Sequence, residues 1–196
     1  MPPRPGLDLN TILNATANLA DDIGLSQVTL AALAERLGVK TPSLYNHVAG
    51  LEGLKLKLAI FGVRELTARL SAAAIGRSKD DAVMAVFRAY RAFAEERPGL
   101  YEAILHSAAP RDPELQAAIE GLSEIMHKVL APYGLGPEES LHAIRALRSM
   151  IHGFVSLKAA GFFSGKPVPP EDSFEFLAAI FLAGFHRTIA SVPQER

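Results

Sequence analysis

Apolar side chains recur along almost the whole chain at the three-and-four-residue spacing of an amphipathic helix. The first run contains Leu9, Ile12, Leu13, Leu19, Ala20 and Ile23, and Gly24 follows it as a helix stop. Further runs begin near residues 29, 41, 51, 78, 112, 136 and 172. No period-two alternation typical of strands survives these assignments, and about nine helices result. The pattern therefore predicts an all-α fold.

Helix caps support these assignments. Thr29 is a good N-cap for the second helix, and Gly38 follows the end of that helix. Ser78, with an acid three residues later, opens one of the longer helices, and Asp112, ahead of a proline and a glutamate, opens the next. Between them, residues 98–99 are a Pro-Gly pair that we expect to break the helix.

Residues 24–48 meet the steric requirements of a helix-turn-helix. Ala34 is small where two short helices cross, and Gly38, four positions later, tolerates the positive φ that the turn needs. Leu44, six positions further, can point back at the first helix. The remaining core is supplied by Leu30, Leu33, Leu37 and Val39. The second helix is then free to lie in a major groove of DNA.

The outer face of that second helix carries polar side chains without a carboxylate, namely Thr41, Ser43, Tyr45, Asn46 and His47. Hydroxyl groups can bind phosphates, and an asparagine amide can recognise adenine. Lys40, at the start of the helix, is a candidate for a phosphate or guanine contact. Five basic and five acidic residues balance over residues 1–60, so any positive footprint is local: residues 36–48 contain Arg36, Lys40 and His47 and no acid.

With its flanking residues, this segment resembles the helix-turn-helix of the tetracycline-repressor family. The resemblance is carried by Thr29, Leu33-Ala34, Arg36-Leu37-Gly38-Val39, Pro42-Ser43-Leu44-Tyr45 and His47. The helices on either side and the length of the chain agree with that family. The likeness is close over residues 7–60 and concerns only the architecture beyond them.

The resemblance implies roles for these side chains. Contacts to backbone phosphates are implied for Thr29, Tyr45 and His47. Contacts to bases are implied for Thr41, Ser43 and Asn46. It also implies a DNA-binding domain over residues 1–56 and a helical ligand-binding and dimerisation domain over residues 57–196. The expected function is a cytoplasmic transcriptional repressor, a homodimer on a palindromic double-stranded DNA operator, released by a small hydrophobic effector.

The chain departs from the family pattern in two places. Leu51 stands where family members often carry a lysine that holds a phosphate, and Lys55 lies one turn later. The pair His152-Gly153 resembles the subgroup whose C-terminal domain has a Trp-His-Gly motif. This chain has no tryptophan, and Arg148 lies near the place of that residue.

Apolar stripes on the last two long helices predict a dimer interface in the form of an intermolecular four-helix bundle. The expected interface residues are Ile151, Val155, Leu177, Phe181, Gly184 and Phe185. We expect an effector cavity lined mostly by carbon, with His152 as its polar group and Phe154 in its wall. The glycine after His152 is unfavourable in a helix and indicates a close approach, either by the ligand or by the partner helix.

Several classes of function are disfavoured. The chain has no cysteine, which removes disulfides, thiolate metal sites and cysteine nucleophiles. Its histidines lack metal-site spacing, and no catalytic motif is present, so we expect no cofactor, no metal and no enzyme activity. From its first residues we expect no signal sequence, and the apolar stretch Leu177–Phe185 is far shorter than the roughly 20 residues that span a bilayer, so no membrane partner is expected. Two alternatives stay open: a dimeric small-molecule-binding protein without DNA function and, less favoured, a helical-bundle enzyme.

Overall fold

The structure is a computed structural model that describes residues 7–106 and 112–191. These residues form eight α-helices and three short 3-10 helices, with no strand among them, which confirms the all-α prediction. The α-helices are α1 (Leu9–Ile23), α2 (Leu30–Leu37), α3 (Gly50–Ala74), α4 (Lys79–Glu96), α5 (Pro98–His106), α6 (Pro113–Leu130), α7 (Pro137–Ala159) and α8 (Pro170–Ser191). The 3-10 helices are Leu25–Gln27, Thr41–Asn46 and Ala131–Tyr133.

The chain divides into two compact units. The first contains the residues up to Leu66 together with Phe93–Leu122, and the second contains Thr67–Ala92 and the residues from Ser123 onward. The first unit thus combines the helix-turn-helix with α5 and the first half of α6. The functional boundary predicted after residue 56 is a different division, and it stays a prediction.

Three helices begin with a cap from a residue next to them in the sequence. The sequence predicts two of these caps, Thr29 and Asp112. The Asp8 carboxylate accepts a hydrogen bond from the Thr11 backbone N–H at 2.7 Å, at the start of α1. The Thr29 hydroxyl accepts one from the Ala32 N–H at 3.1 Å, at the start of α2. Asp112 accepts two N–H groups, both at 2.9 Å, at the start of α6. Each cap satisfies helix N–H groups that have no partner within the helix.

Helix α5 begins immediately after α4, at the Pro-Gly pair where only a break is predicted. Its cap is not local, because the Asp21 carboxylate of α1 accepts the backbone N–H groups of Gly99 at 2.9 Å and Leu100 at 3.2 Å. A Cβ on Gly99 would overlap the backbone of Ala20, so glycine is what lets α5 dock on the last turn of α1. Arg97 closes the junction with an ion pair of 2.6 Å to Asp21. A proline at the first helical position is compatible with this arrangement.

Phenylalanine rings form the centre of the second unit. Phe87 lies 5.9 Å from Phe174 and 5.3 Å from Phe181, between ring centroids. Phe154 lies 5.0 Å from Phe174 in an edge-on arrangement. The Arg91 guanidinium sits 4.5 Å above the centroid of the Phe174 ring. Aromatic rings prefer such tilted and edge-on arrangements, and a cation prefers a position over the face of a ring.

Candidate nucleic-acid interface and dimer face

The helix-turn-helix closes on a small buried core. Leu33 of α2 and Leu44 of the Thr41–Asn46 helix are completely buried, and Ala34 is almost so. Gly38 ends α2 with φ +66°, the left-handed conformation that glycine adopts without steric cost. The backbone N–H of Val39 returns to the Ala34 carbonyl at 3.0 Å and completes the turn.

The Thr41–Asn46 helix, here called the recognition helix, is a 3-10 helix instead of the α-helix expected from the sequence. With three residues per turn, side chains three positions apart share an edge. Ser43 and Asn46 therefore lie along one edge and Pro42 and Tyr45 along the next, while Leu44 is buried. Both outer edges thus present hydroxyl and amide groups and no carboxylate.

Each of the seven residues predicted to contact DNA is at least partly accessible. Exposed side chains are Thr29, Lys40, Tyr45 and Asn46, and partly buried ones are Thr41, Ser43 and His47. Because the Thr29 oxygen already accepts the Ala32 N–H, its hydroxyl proton is the part left to donate to a phosphate. Their contacts with DNA stay predictions.

Charge around this surface is arranged in pairs. Arg36 forms an ion pair with Asp22 at 2.7 Å, and Lys55 forms one with Glu52 at 3.3 Å. The pKa of the Asp8 carboxyl lies below its usual range, mainly because the Thr11 N–H donates to it, with a smaller contribution from the positive charge of His47. Lys40 is exposed at the start of the recognition helix, and its contact with a phosphate or a guanine stays a prediction.

The last helix, α8, exposes apolar side chains along one stripe. Phe176 is 68% exposed and Ile180 is 51% exposed. The same face continues through Ala183 and Gly184, both exposed. Among the described residues, α8 is the one helix whose length and composition would let it cross a membrane. Only 11% of its most apolar 18-residue stretch is buried.

The residues predicted at the dimer interface are spread from the core to the surface. Ile151 is fully buried within the protomer, Val155 and Phe181 are nearly so, and Leu177 and Phe185 are partly buried. Gly184 is exposed, and no described residue comes within 4 Å of where its Cβ would be. Residues that are buried within one chain cannot contact a partner chain directly, although they pack beneath the residues that do. The exposed Phe176 was not among the predicted interface residues. Its signal was available in the sequence, since it lies four residues before Ile180.

A groove between α7 and α8 borders this stripe and encloses about 510 Å³. Its walls are mostly apolar and include Ala146, Ile180, Gly184 and Phe185. Gly153, further along α7, also has no described residue within 4 Å of its would-be Cβ. No close approach to this glycine therefore comes from the described part of its own chain.

The two residues predicted to bind the effector lie on different faces of α7. Phe154 is 7% exposed and packs with its ring centroid 5.0 Å from that of Phe163. His152 is exposed, so its side chain does not enter the apolar centre of the second unit. Its role in ligand binding stays a prediction.

Two family descriptions match the chain. "Bacterial regulatory proteins, tetR family" matches residues 12–54, and "Tetracyclin repressor-like, C-terminal domain" matches residues 83–181. The chain belongs to the tetracycline-repressor family. It is 36% identical over 185 residues to the uncharacterized HTH-type transcriptional regulator YobS of Bacillus subtilis, covering 94% of this chain and 95% of the relative. It is also 36% identical to the uncharacterized HTH-type regulator Rv0681 of Mycobacterium tuberculosis, covering 79% of this chain and 72% of the relative.

Solved structures show the same fold. A protein of unknown function from Rhodococcus sp. RHA1 superposes with a TM-score of 0.78 at 21% identity, over 94% of this chain and 98% of that one. A TetR variant from Acinetobacter baumannii AYE, crystallised in complex with minocycline, superposes with a TM-score of 0.72 at 23% identity, over 94% of this chain and 99% of that one.

Membership of the tetracycline-repressor family fixes the general activity. The protein is a helix-turn-helix transcriptional regulator, and regulators of this family are non-enzymatic, ligand-responsive DNA-binding proteins. Family members bind DNA operators as dimers and bind small-molecule effectors. Regulators of this family are soluble proteins of the cytoplasm.

Proposed function

We propose that this protein is a repressor that binds a palindromic operator as a homodimer and leaves it when a small apolar effector binds. The proposal rests on the recognition helix. Its outer edges are exposed and carry no carboxylate, while the buried Leu44 anchors the helix on α2. One such helix buries too little surface to select a site alone. Two copies presented about 34–36 Å apart, one turn of DNA, give the required specificity.

Roles on the operator follow from side-chain chemistry. Thr29, Tyr45 and His47 donate to phosphates and set the position of the helix, with Lys40 adding charge at a phosphate or a guanine. Ser43 and Asn46, on one edge of the recognition helix, face bases, and an asparagine amide pairs best with adenine. Thr41, partly accessible at the start of the edge that Leu44 buries, is the third base contact proposed. Leu51, where a phosphate-binding lysine is common in the family, contributes no charge. We therefore expect modest affinity for one half-site and a strong dependence on the dimer.

The dimer forms across α7 and α8. The exposed stripe through Phe176, Ile180 and Gly184 and the adjacent groove offer an apolar surface without bulky obstruction. Burying it against a second copy gives an intermolecular four-helix bundle, and thereby the dimeric state in which family members bind operators.

The effector is apolar or weakly polar, because phenylalanine rings form the centre of the second unit. Its binding shifts the population from conformations that fit DNA to conformations that do not. The minocycline complex of the Acinetobacter relative supports small-molecule binding by this fold as a class, and the identity of the ligand here is open.

Operator binding is tested with palindromic fragments from upstream of the protein's own gene, at 50 mM and 200 mM salt. We expect one fragment to bind much more tightly than scrambled DNA, and its affinity to fall steeply with salt as phosphate counterions are released. Equal, weak and salt-insensitive binding to all fragments would reject the proposal and favour a ligand-binding protein without DNA function.

The effector is sought by thermal shift over a small-molecule panel, followed by release of the operator. We expect the hits to be uncharged or weakly charged. Phe154→Leu should change the thermal shift that the hits produce, whereas the control Arg148→Ala, on the exposed face of α7, should leave it unchanged. His152→Ala tests the histidine separately: hits that bind this variant as well as wild type exclude His152 from the pocket. Hits dominated by highly charged metabolites would contradict the apolar effector.

A further inference from the structure

A cavity of about 390 Å³ lies within the first unit. Its apolar lining residues, here called the base, are Leu25, Leu56, Ala103 and Leu115. Its polar lining residues, here called the polar wall, are Ser26, Glu52, Lys55, Glu102 and His106. The volume falls within the range of roughly 300–1,000 Å³ that small-molecule sites occupy.

The polar wall has more acceptors than donors. Glu102 is partly buried and holds the Leu25 backbone N–H through a single long hydrogen bond of 3.4 Å, which leaves most of its acceptor capacity unused. His106 Nδ1 lies 3.0 Å from the Glu102 carbonyl oxygen. Because a carbonyl only accepts, Nδ1 carries the proton, and Nε2 of the neutral ring is another acceptor.

Charge in the wall is negative in sum. Lys55, the one cation among the described lining side chains when His106 is neutral, lies 3.3 Å from Glu52 and offsets that carboxylate. Among the described residues of the wall, no further cation then compensates the charge of Glu102. An apolar base under an uncompensated carboxylate suits a ligand that joins a carbon skeleton to an ammonium group.

We propose that this cavity binds a small organic cation, an amine with an apolar body, with its ammonium group on Glu102. The cavity touches both flanks of the helix-turn-helix: Leu25 and Ser26 lie just before α2, and Glu52 to Leu56 lie just after the recognition helix. Occupancy therefore changes operator affinity, a consequence that rests on the proposed repressor function. This site is distinct from the apolar effector site proposed for the second unit.

Binding is measured on the full-length protein without DNA, by calorimetry and by amide chemical shifts. The probes are 2-phenylethylamine, 2-phenylethanol and phenylacetate, which share an apolar body and differ in charge. We expect the amine to bind most tightly and to shift the amides of Leu25 and Ala103. Equal affinity for the amine and the alcohol, or tighter binding of phenylacetate, overturns the proposal.

Glu102→Gln tests the carboxylate while keeping an oxygen to accept the Leu25 N–H. We expect the variant to lose about fivefold in affinity for the amine, the scale of a partly exposed ion pair, and to bind the alcohol unchanged. Glu120→Gln, on α6 and outside the cavity, is the matched control and retains the affinity. An amine affinity unchanged in Glu102→Gln, or equally reduced in Glu120→Gln, overturns the assignment to Glu102.

The regulatory consequence is measured separately, as operator affinity with and without saturating 2-phenylethylamine at constant ionic strength, because salt alone weakens DNA binding. A change in wild type that is absent in Glu102→Gln supports control through this cavity. No change in wild type overturns that consequence. Because the binding assay contains no DNA, failure of operator binding and failure of this site are distinguishable.

Discussion

The helix-turn-helix and the last helix differ in how far their large apolar side chains are buried. Around the turn, Leu33 and Leu44 are fully buried, and the exposed surface is polar. On α8, Phe176 and Ile180 are more than half exposed, while Phe174 and Ala178 alternate with them in the core. In the first region, a single chain buries the large apolar side chains. On α8, a single chain buries one apolar face and leaves the other exposed.

This difference indicates what each region is for. A polar surface on a fully packed support is ready for a partner rich in hydrogen-bonding groups, such as the edges and phosphates of DNA. An apolar stripe of adjacent large side chains is unfavourable in water and marks a surface for another protein. Changes at the first surface should alter DNA contacts alone, and changes at the second should alter assembly.

The largest effect is expected from Gly184→Leu. A Cβ at this position meets no described atom of its own chain within 4 Å, so the protomer should fold while the helices of the dimer are forced apart. We expect a monomer by light scattering and a loss of operator affinity of about a thousandfold, the lower end of the gap between specific and non-specific binding.

Gly121→Leu is the matched control, since this glycine lies within α6 and also has open space around it. It should remain dimeric. An intact dimer for Gly184→Leu would place the interface elsewhere and break the contrast between the two regions.

Asn46→Ala should have the next largest effect, and only on DNA. Loss of a base-reading amide costs roughly 1–3 kcal/mol and relaxes the preference at one operator position. The measurement is a sequence-preference profile over all single substitutions of the half-site, with the dimer verified by light scattering. A profile identical to that of wild type would show that Asn46 reads no base.

Tyr45→Phe should have a smaller and uniform effect. The side chain is 59% exposed, and removing a hydroxyl that binds a phosphate costs about 1 kcal/mol on every operator. Binding to specific and scrambled DNA should therefore weaken by a similar factor. A loss confined to one sequence would indicate base contact, and no loss at all would remove Tyr45 from the interface.

Asp80→Asn should have the smallest effect, and on stability alone. The Asp80 carboxylate, at the start of α4, accepts hydrogen bonds from the Tyr133 hydroxyl at 2.6 Å and from the His186 Nε2–H at 2.8 Å, which connects the last turns of α8 to α4. The Tyr133 hydrogen bond, followed by that of His186, lowers the pKa of Asp80 below its usual value of 3.8. The stabilisation is therefore present above pH 3.8 and is lost as the pH falls through the lower folded-state pKa.

Since Asp80 is about half exposed, we expect the variant to lose about 0.5 kcal/mol in the free energy of unfolding at pH 7. In urea titrations, the difference from wild type should shrink as the pH is lowered below 4, because wild-type Asp80 then becomes neutral. Asp81→Asn, exposed in the same turn, is the control. A difference that is constant with pH would mean that the carboxylate charge does not hold the cluster.

The sequence predicts the helix-turn-helix well because its determinants are close together along the chain. Ala34, Gly38 and Leu44 lie within eleven residues, and steric rules for a turn apply to the chain locally. The caps at Thr29 and Asp112 bond N–H groups two or three residues away, so they too can be recognised without a fold. The 3-10 geometry of the recognition helix was not predicted, since its polar pattern over six residues fits either kind of helix.

What the sequence alone determined is thus the fold class, the helix-turn-helix and the family; the tertiary structure decided where distant segments meet. Helix α5 starts at a Pro-Gly pair because Asp21, 78 positions before Gly99, supplies its cap and the backbone of Ala20 leaves room only for glycine. On α7, the stripe with Ile151 faces inward and leaves Gly153 toward the surface, a choice that the apolar pattern leaves open. Hydrogen-bonding and steric rules act over a few residues, whereas burial depends on whatever packs against a segment from elsewhere in the chain.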